Sequence, residues 1–125
     1  MHSYDNDNIF AKIIRGEIPC DKVYSDDDVF AFKDIAPAAP VHVLVIPKGQ
    51  YVSFDDFVAD SSPEKVAGFF AKVREIAAEL GLDKTGYRLI SNHGADANQA
   101  VPHFHVHILG GKKLGGLLQS DKLQR

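Results

Sequence analysis

Hydrophobic and polar positions change their period several times along this 125-residue chain. Ile9, Phe10, Ile13 and Ile14 recur at helical spacing, which predicts a short helix over 8–15 entered from Asp7. Val23–Tyr24 and Val29–Phe32 read as two strands around the acidic turn Ser25-Asp26-Asp27-Asp28. Val41–Ile46 is a third strand, a short apolar run closed by Pro47 and fed by a loop between Pro37 and Pro40. Val66, Phe69, Phe70, Val73, Ile76, Ala77 and Leu80 then keep helical spacing over a long helix. Ser61 or Ser62 caps its start, with Glu64 three residues after Ser61 as in a capping box, and Gly81 ends it. Tyr87–Ser91 returns to strand, and after the loop from Asn92 to Pro102 the segment His103–Leu109 alternates strictly between polar and apolar. Strands, one short and one long helix, then further strands predict an α+β domain with a mostly antiparallel sheet.

Composition narrows the picture. At 45% hydrophobic and 25% charged residues, 125 positions form one domain (1–125) with a core of its own. A net charge of −3 supplies no basic field, so no nucleic-acid partner is expected, although a local pocket can still take one phosphate. The single cysteine, Cys20, excludes an internal disulfide and is expected to be a small buried side chain. No apolar run approaches the roughly 18 residues of a membrane span, so no membrane partner is expected. Asp5, Asp7, Arg15 and Glu17 make the start unlike a signal peptide, which leaves the cytoplasm as the expected location. Gly110-Gly111 and Gly115-Gly116 break up a C-terminal tail, 112–125, that is either mobile or docked on a partner.

The chemistry concentrates in His103-Phe104-His105-Val106-His107-Ile108-Leu109, which holds three of the six histidines. On a strand the three imidazoles share one face while Phe104, Val106 and Ile108 enter a core. Such rings are incidental, or metal ligands, or catalysts. Incidental burial requires a partner for each ring. Zinc ligation from a straight strand is strained, since the outer Cα atoms stand about 13 Å apart at roughly 3.3 Å per residue. Nucleophilic attack on phosphorus suits a neutral imidazole, whose phosphoramidate is then labile to water. The neighbouring loop Gly94-Ala95-Asp96-Ala97-Asn98-Gln99-Ala100 has the composition to wrap a small anion and aim backbone N–H groups at it, though an ordinary turn has the same composition.

That histidine segment resembles the His-φ-His-φ-His-φ-φ signature of the histidine triad superfamily. The chain is similar to its nucleotide-binding branch, the purine nucleoside phosphoramidases, from about Asn8 to Gly111. The matching blocks are Ile9–Pro19, Ala31–Pro37, Ala39–Lys48 and Leu109-Gly110-Gly111. The resemblance implies a five-stranded antiparallel sheet in a domain with core 8–111, and a homodimer pairing the long helix and an edge strand across a twofold. It implies a purine nucleotide ligand of AMP or GMP type and cleavage of nucleoside 5′-phosphoramidates or aminoacyl-adenylates through a covalent nucleotidyl-histidine. His105 would be the nucleophile, His107 would hold the phosphate and assist the leaving group, and His103 and His42 would support them. Asp34 would accept the ribose hydroxyls. Ile9, Phe10, Ile13, Phe32, Ile35 and Leu44 would line the base pocket, and Asn92, Asn98, Gln99, Ala100 and Val101 would face the phosphate. No cofactor is implied. Two other activities fit the same motif: a nucleotide-binding regulatory protein with incidental hydrolysis, and a dinucleoside polyphosphate hydrolase.

The chain departs from the family pattern at two places. Ala100 stands where close relatives often carry serine, whose hydroxyl reaches the leaving group, so slower turnover or a changed leaving-group preference is expected. Some bacterial relatives hold a structural zinc through a Cys-x-x-Cys and a later histidine. Asn8, Ala11 and Gln50 stand at those positions here, and no metal is expected.

Overall fold

The computed structural model describes residues 3–118, so part of the tail, 119–125, lies outside the described residues. The elements in order are α1 (Ile9–Ile14), β1 (Lys22–Ser25), β2 (Val29–Lys33), β3 (Val41–Pro47), α2 (Phe54–Asp60), α3 (Pro63–Glu79), β4 (Tyr87–Ile90), a 3₁₀ turn (Ala95–Ala97) and β5 (Val106–Gly110). The strands form one antiparallel sheet in the order β1-β2-β3-β5-β4. No helix among the described residues is long and apolar enough to cross a membrane.

Local chemistry explains the boundaries, and corrects several. Asn8, not Asp7, caps α1: its Oδ1 accepts from the Ala11 N–H at 2.9 Å, while Asp7 sits in the turn before it. Ser62 caps α3 by accepting from Lys65 N–H at 3.1 Å, which puts Glu64 one position too early for a capping box. Gly81 ends that helix at φ +80°, a conformation glycine adopts without strain. The additional short helix α2 was not expected. Its start is written in Ser53-Phe54-Asp55-Asp56, where the Asp56 carboxylate accepts from the Ser53 N–H at 2.7 Å in a true capping box. The last strand begins only at Val106, so His103–His105 lead into the sheet rather than belonging to it. The described part of the tail turns back on its own sheet, where Arg88 donates to the carbonyls of Gly115 and Gly116.

Register divides the sheet into two faces. Ala31 lies opposite Val45, Val43 opposite Ile108 and Val45 opposite Val106, and all of them point toward α2 and α3. There Phe57, Phe69, Phe104, Val73 and Ile76 close the main core, with Phe57 stacked on Phe104 at 4.7 Å between ring centroids. Each such buried side chain contributes on the order of 1.5–3 kcal/mol. On the other face Phe30 pairs with Ile46, Phe32 with Leu44 and Leu44 with His107, all under α1, which adds Phe10 and Ile13. This second layer is thin: one six-residue helix covers it.

Candidate active site

The α1 face leaves a cavity of about 680 Å³ open at its mouth. Phe10, Ile13, Phe32 and Leu44 line it with apolar surface, and Asp34, Asn92, Asn98, His105 and His107 bring polar groups to it, the Phe10 ring lying 5.0 Å from that of His105. Such an apolar slot with a few convergent polar groups is the form a small-ligand site takes.

Hydrogen bonds fix the protonated nitrogen of each ring. His105 Nδ1 lies 2.7 Å from the carbonyl oxygen of His103, so it carries the proton and donates. Its Nε2 is then a lone pair. The backbone N–H of Ala38 donates to His42 Nδ1 at 3.0 Å, so the His42 proton sits on Nε2. From there it is donated to His107 Nδ1 at 2.9 Å, which leaves the His107 proton on its own Nε2. Asp34 Oδ2 also approaches His42 Nε2 to 3.4 Å, but because Nδ1 accepts, this contact joins a carboxylate to a neutral ring. Ser61 Oγ is the one fully buried side-chain polar atom lacking a partner among the described residues, so the unpartnered Nε2 atoms of His105 and His107 are reached from the cavity. One ring thus presents a nucleophile and its neighbour, 5.1 Å away between centroids, presents a donor.

Desolvation favours the neutral form of His103, His105 and His107. Burial lowers His105 below the ordinary imidazole range, with the His103 carbonyl opposing weakly. Burial lowers His107 to about 4, helped by His105 and His42. His103 is held at about 4 by burial, with its Nε2 donating to the carbonyl of Pro47 at 2.8 Å.

Most residues expected at the site come together around the cavity: Ile9, Phe10, Ile13, Phe32, Asp34, Ile35, Leu44, Asn92, Asn98, Ala100, Val101, His105 and His107. Ile35 is fully exposed and stands at the rim. His42 and His103 lie behind the cavity wall, as supports. Gln99 is not at the cavity: its amide accepts from Gly94 N–H and donates to the carbonyls of Val52 and Val101, tying the loop down. The loop also uses its own donors, since Asn98 N–H goes to Ala95 and Gln99 N–H to Gly94, so those groups form no anion cradle. His93 fastens the same loop, with Nδ1 2.7 Å from Ser53 Oγ. Cys20 is exposed, not buried, and lines the cavity with Ile18, Pro19, Asp21 and Lys33, none of which has a sequence period that points there.

Asp34, His42 and His107 also present three donor atoms within 4.8 Å of one another. A metal there would have to displace the hydrogen-bond chain that orders the rings. At the positions where some relatives bind zinc, Asn8 caps α1 and Gln50 donates to Asn6 Oδ1.

An antiparallel sheet with helices on both faces and a cavity lined by two histidines defines a class, and the comparisons name it. The HIT domain family profile matches residues 15–114, and the chain belongs to this family. An uncharacterized HIT-like protein of Rickettsia prowazekii is 50% identical over 94% of the chain and 98% of its own length. The purine nucleoside phosphoramidase of Escherichia coli is 43% identical over 90% of the chain and 93% of its own length. The solved structure of a histidine triad protein from Clostridium difficile is 45% identical, with a TM-score of 0.80 over 91% of this chain and 98% of that one.

Proposed function

We propose that the protein hydrolyses purine nucleoside 5′-phosphoramidates, or the related aminoacyl-adenylates, through a covalent nucleotide on His105. The observation that carries this reading is the tautomer of His105: a proton held on Nδ1 by a carbonyl and a lone pair on Nε2 facing the cavity. Nε2 bonds to phosphorus as the P–N bond breaks, and the departing nitrogen keeps the bonding pair and takes a proton from water at the open mouth. The His105 ring is then cationic, stabilised by donation from Nδ1–H to the carbonyl of His103. His107 Nε2–H donates to a phosphoryl oxygen. Water then attacks phosphorus, Nε2 leaves with its pair, and the proton that this water loses neutralises the hydroxide left by the first step, so one water is consumed per P–N bond. The base packs among Phe10, Ile13, Phe32 and Leu44, and Asp34 accepts the ribose hydroxyls. Incubation with adenosine and guanosine phosphoramidates, read by intact mass, tests this: a nucleotidyl adduct on His105 is expected, and turnover without any adduct rejects the covalent route.

The location of Ala100 at the cavity favours a second reading, a nucleotide-binding regulatory protein with slow incidental hydrolysis. Ala100→Ser restores a hydroxyl and is expected to raise turnover by roughly five- to a hundred-fold, the value of one transition-state hydrogen bond. Unchanged turnover beside tight AMP binding would support the regulatory reading instead. A homodimer belongs to the main proposal: β4 is a sheet edge carrying the exposed side chains Tyr87 and Leu89, a surface suited to a second copy. Cytoplasmic residence is proposed with it.

A further inference from the structure

We propose that Tyr4 is a positioning residue for the nucleophile: its hydroxyl clamps the His103 ring, and so holds the carbonyl that keeps His105 in its Nδ1–H tautomer. The proposal rests on His105 acting as the nucleophile only for its kinetic readout.

The segment that carries His103 has little backbone support. Strand β5 starts at Val106, and the bonds that hold this stretch are His103 N–H to the carbonyl of Val101 at 2.9 Å, Phe104 N–H to that of Tyr51 at 2.8 Å and the Ser91 hydroxyl to the carbonyl of His105 at 2.9 Å. No ladder partner fixes the carbonyl of His103, yet the His105 proton depends on it. The ring of His103 supplies the missing constraint. It is wholly buried, and it is gripped at both nitrogens. Nε2 faces the carbonyl of Pro47 at 2.8 Å and must donate to it. Nδ1 is therefore an acceptor, and the Tyr4 hydroxyl, 2.5 Å away, donates to it. The two rings also meet edge to face, with centroids 5.6 Å apart.

Tyr4 is itself anchored. Asn8 Nδ2 donates to the carbonyl of Asp5, Arg15 to that of Asn6, and Gln50 to Asn6 Oδ1. The segment before α1 is thereby folded against the turn after β3, with Tyr4 reaching inward from it. Burial raises the Tyr4 phenol above its ordinary range, so it remains a donor at any working pH. Nothing about Tyr4 touches the cavity, which is why its effect is confined to the geometry behind the nucleophile.

Two variants separate the hydroxyl from the ring. Tyr4→Phe keeps the edge-to-face packing and removes only the donor; Tyr4→Ala removes both. The expected result for Tyr4→Phe is a roughly tenfold slower single-turnover nucleotidyl transfer to His105, with AMP affinity within about twofold of wild type. Imidazole ¹⁵N spectra should at the same time show His105 losing its single Nδ1–H tautomer. Tyr4→Ala should add a loss of melting temperature but little further loss of rate. If Tyr4→Phe matches wild type in either the rate or the His105 spectrum, the positioning role is overturned, and a defect confined to Tyr4→Ala would mean packing alone. If wild type transfers no nucleotide, the proposed activity fails separately, and the His105 spectrum of Tyr4→Phe decides the Tyr4 proposal alone.

Discussion

The two faces of the sheet solve opposite problems with alternate residues of the same strands. On the α3 face, Val43, Val45, Val106 and Ile108 are almost completely buried, in one apolar cluster with three phenylalanines. One position along, on the α1 face, His42, Leu44, His105 and His107 sit under a six-residue helix that leaves a cavity open. The first face provides stability; the second places desolvated imidazoles where a ligand reaches them. Because the pleat turns successive side chains to opposite faces, a rigid core one residue away holds each cavity-lining ring. The difference teaches that rigidity and reactivity are separable here by residue parity, and substitutions on each face should respect that division.

The largest effect should come from the reactive face. His105→Ala is expected to lower phosphoramidate turnover at least about a thousandfold, while AMP affinity stays within a few-fold and the melting temperature barely moves. A melting temperature that collapses with the activity would show that the two faces are not separable. The mirror experiment is Phe57→Ala on the closed face. Phe57 is wholly buried and packs on Phe69 and Phe104, so truncation should cost about 3–5 kcal/mol in urea unfolding. Turnover per folded molecule should fall less than threefold. A larger catalytic loss would mean that the core tunes the site beyond holding it.

Acid should sharpen the contrast, with a smaller effect. His103 and His107 are both lowered to about 4 by burial. Above about pH 6.5 both rings are neutral in the folded and the unfolded chain, and they give stability no pH slope. Between about 6.5 and 4 the unfolded chain binds protons that the folded chain refuses, so stability falls as pH falls and levels off below about 4. Urea midpoints taken from pH 7 to pH 6 should decline by the equivalent of about 1–2 kcal/mol for the two rings together. Phe57→Ala should show the same decline from its lower start, since the two lowered histidines lie outside the core that Phe57 fills. A flat profile over this interval would contradict the burial of neutral rings.

How much of this was legible in the sequence follows from the same parity. The alternation at His103–Leu109 put Phe104, Val106 and Ile108 in the core and His105 and His107 together on the other face, as they stand, although the strand itself starts only at Val106. The family resemblance gathered Asp34 and His42 from distant positions, and the structure brings both to the rings. Cap-level detail was less visible. Asn8 displaced Asp7, and α2 went unread because its apolar positions, Phe54, Phe57 and Val58, fill too few turns to establish a period. Gln99 was placed at the cavity because an amide in such a polar loop reads the same whether it faces a ligand or ties the loop to Val52. Tyr4 left no signal at all: a lone aromatic in a polar run reaches His103 across 99 positions only once the chain is folded.

The smallest expected effect concerns Cys20, at the rim where the α1 face meets solvent. Its thiol is exposed but lines the cavity beside Pro19 and Asp21, and partial burial raises its pKa, so alkylation near neutral pH should be slow. The thiol lines the same cavity as Ile18 and Phe32. A bound purine should therefore shield it by contact, whereas inorganic phosphate, which fits only the histidine end, should not. With saturating AMP, labelling by iodoacetamide at pH 8 is expected to slow a few-fold, on the order of what simple steric cover gives. The same concentration of phosphate should leave the rate unchanged. Equal protection by both would mean that the anion alone alters the rim, and the division of the cavity into a base end and a phosphate end would fail. Adenosine without its phosphate offers the complementary arm: protection by the nucleoside, at higher concentration, would place the purine at the mouth independently of any chemistry at phosphorus.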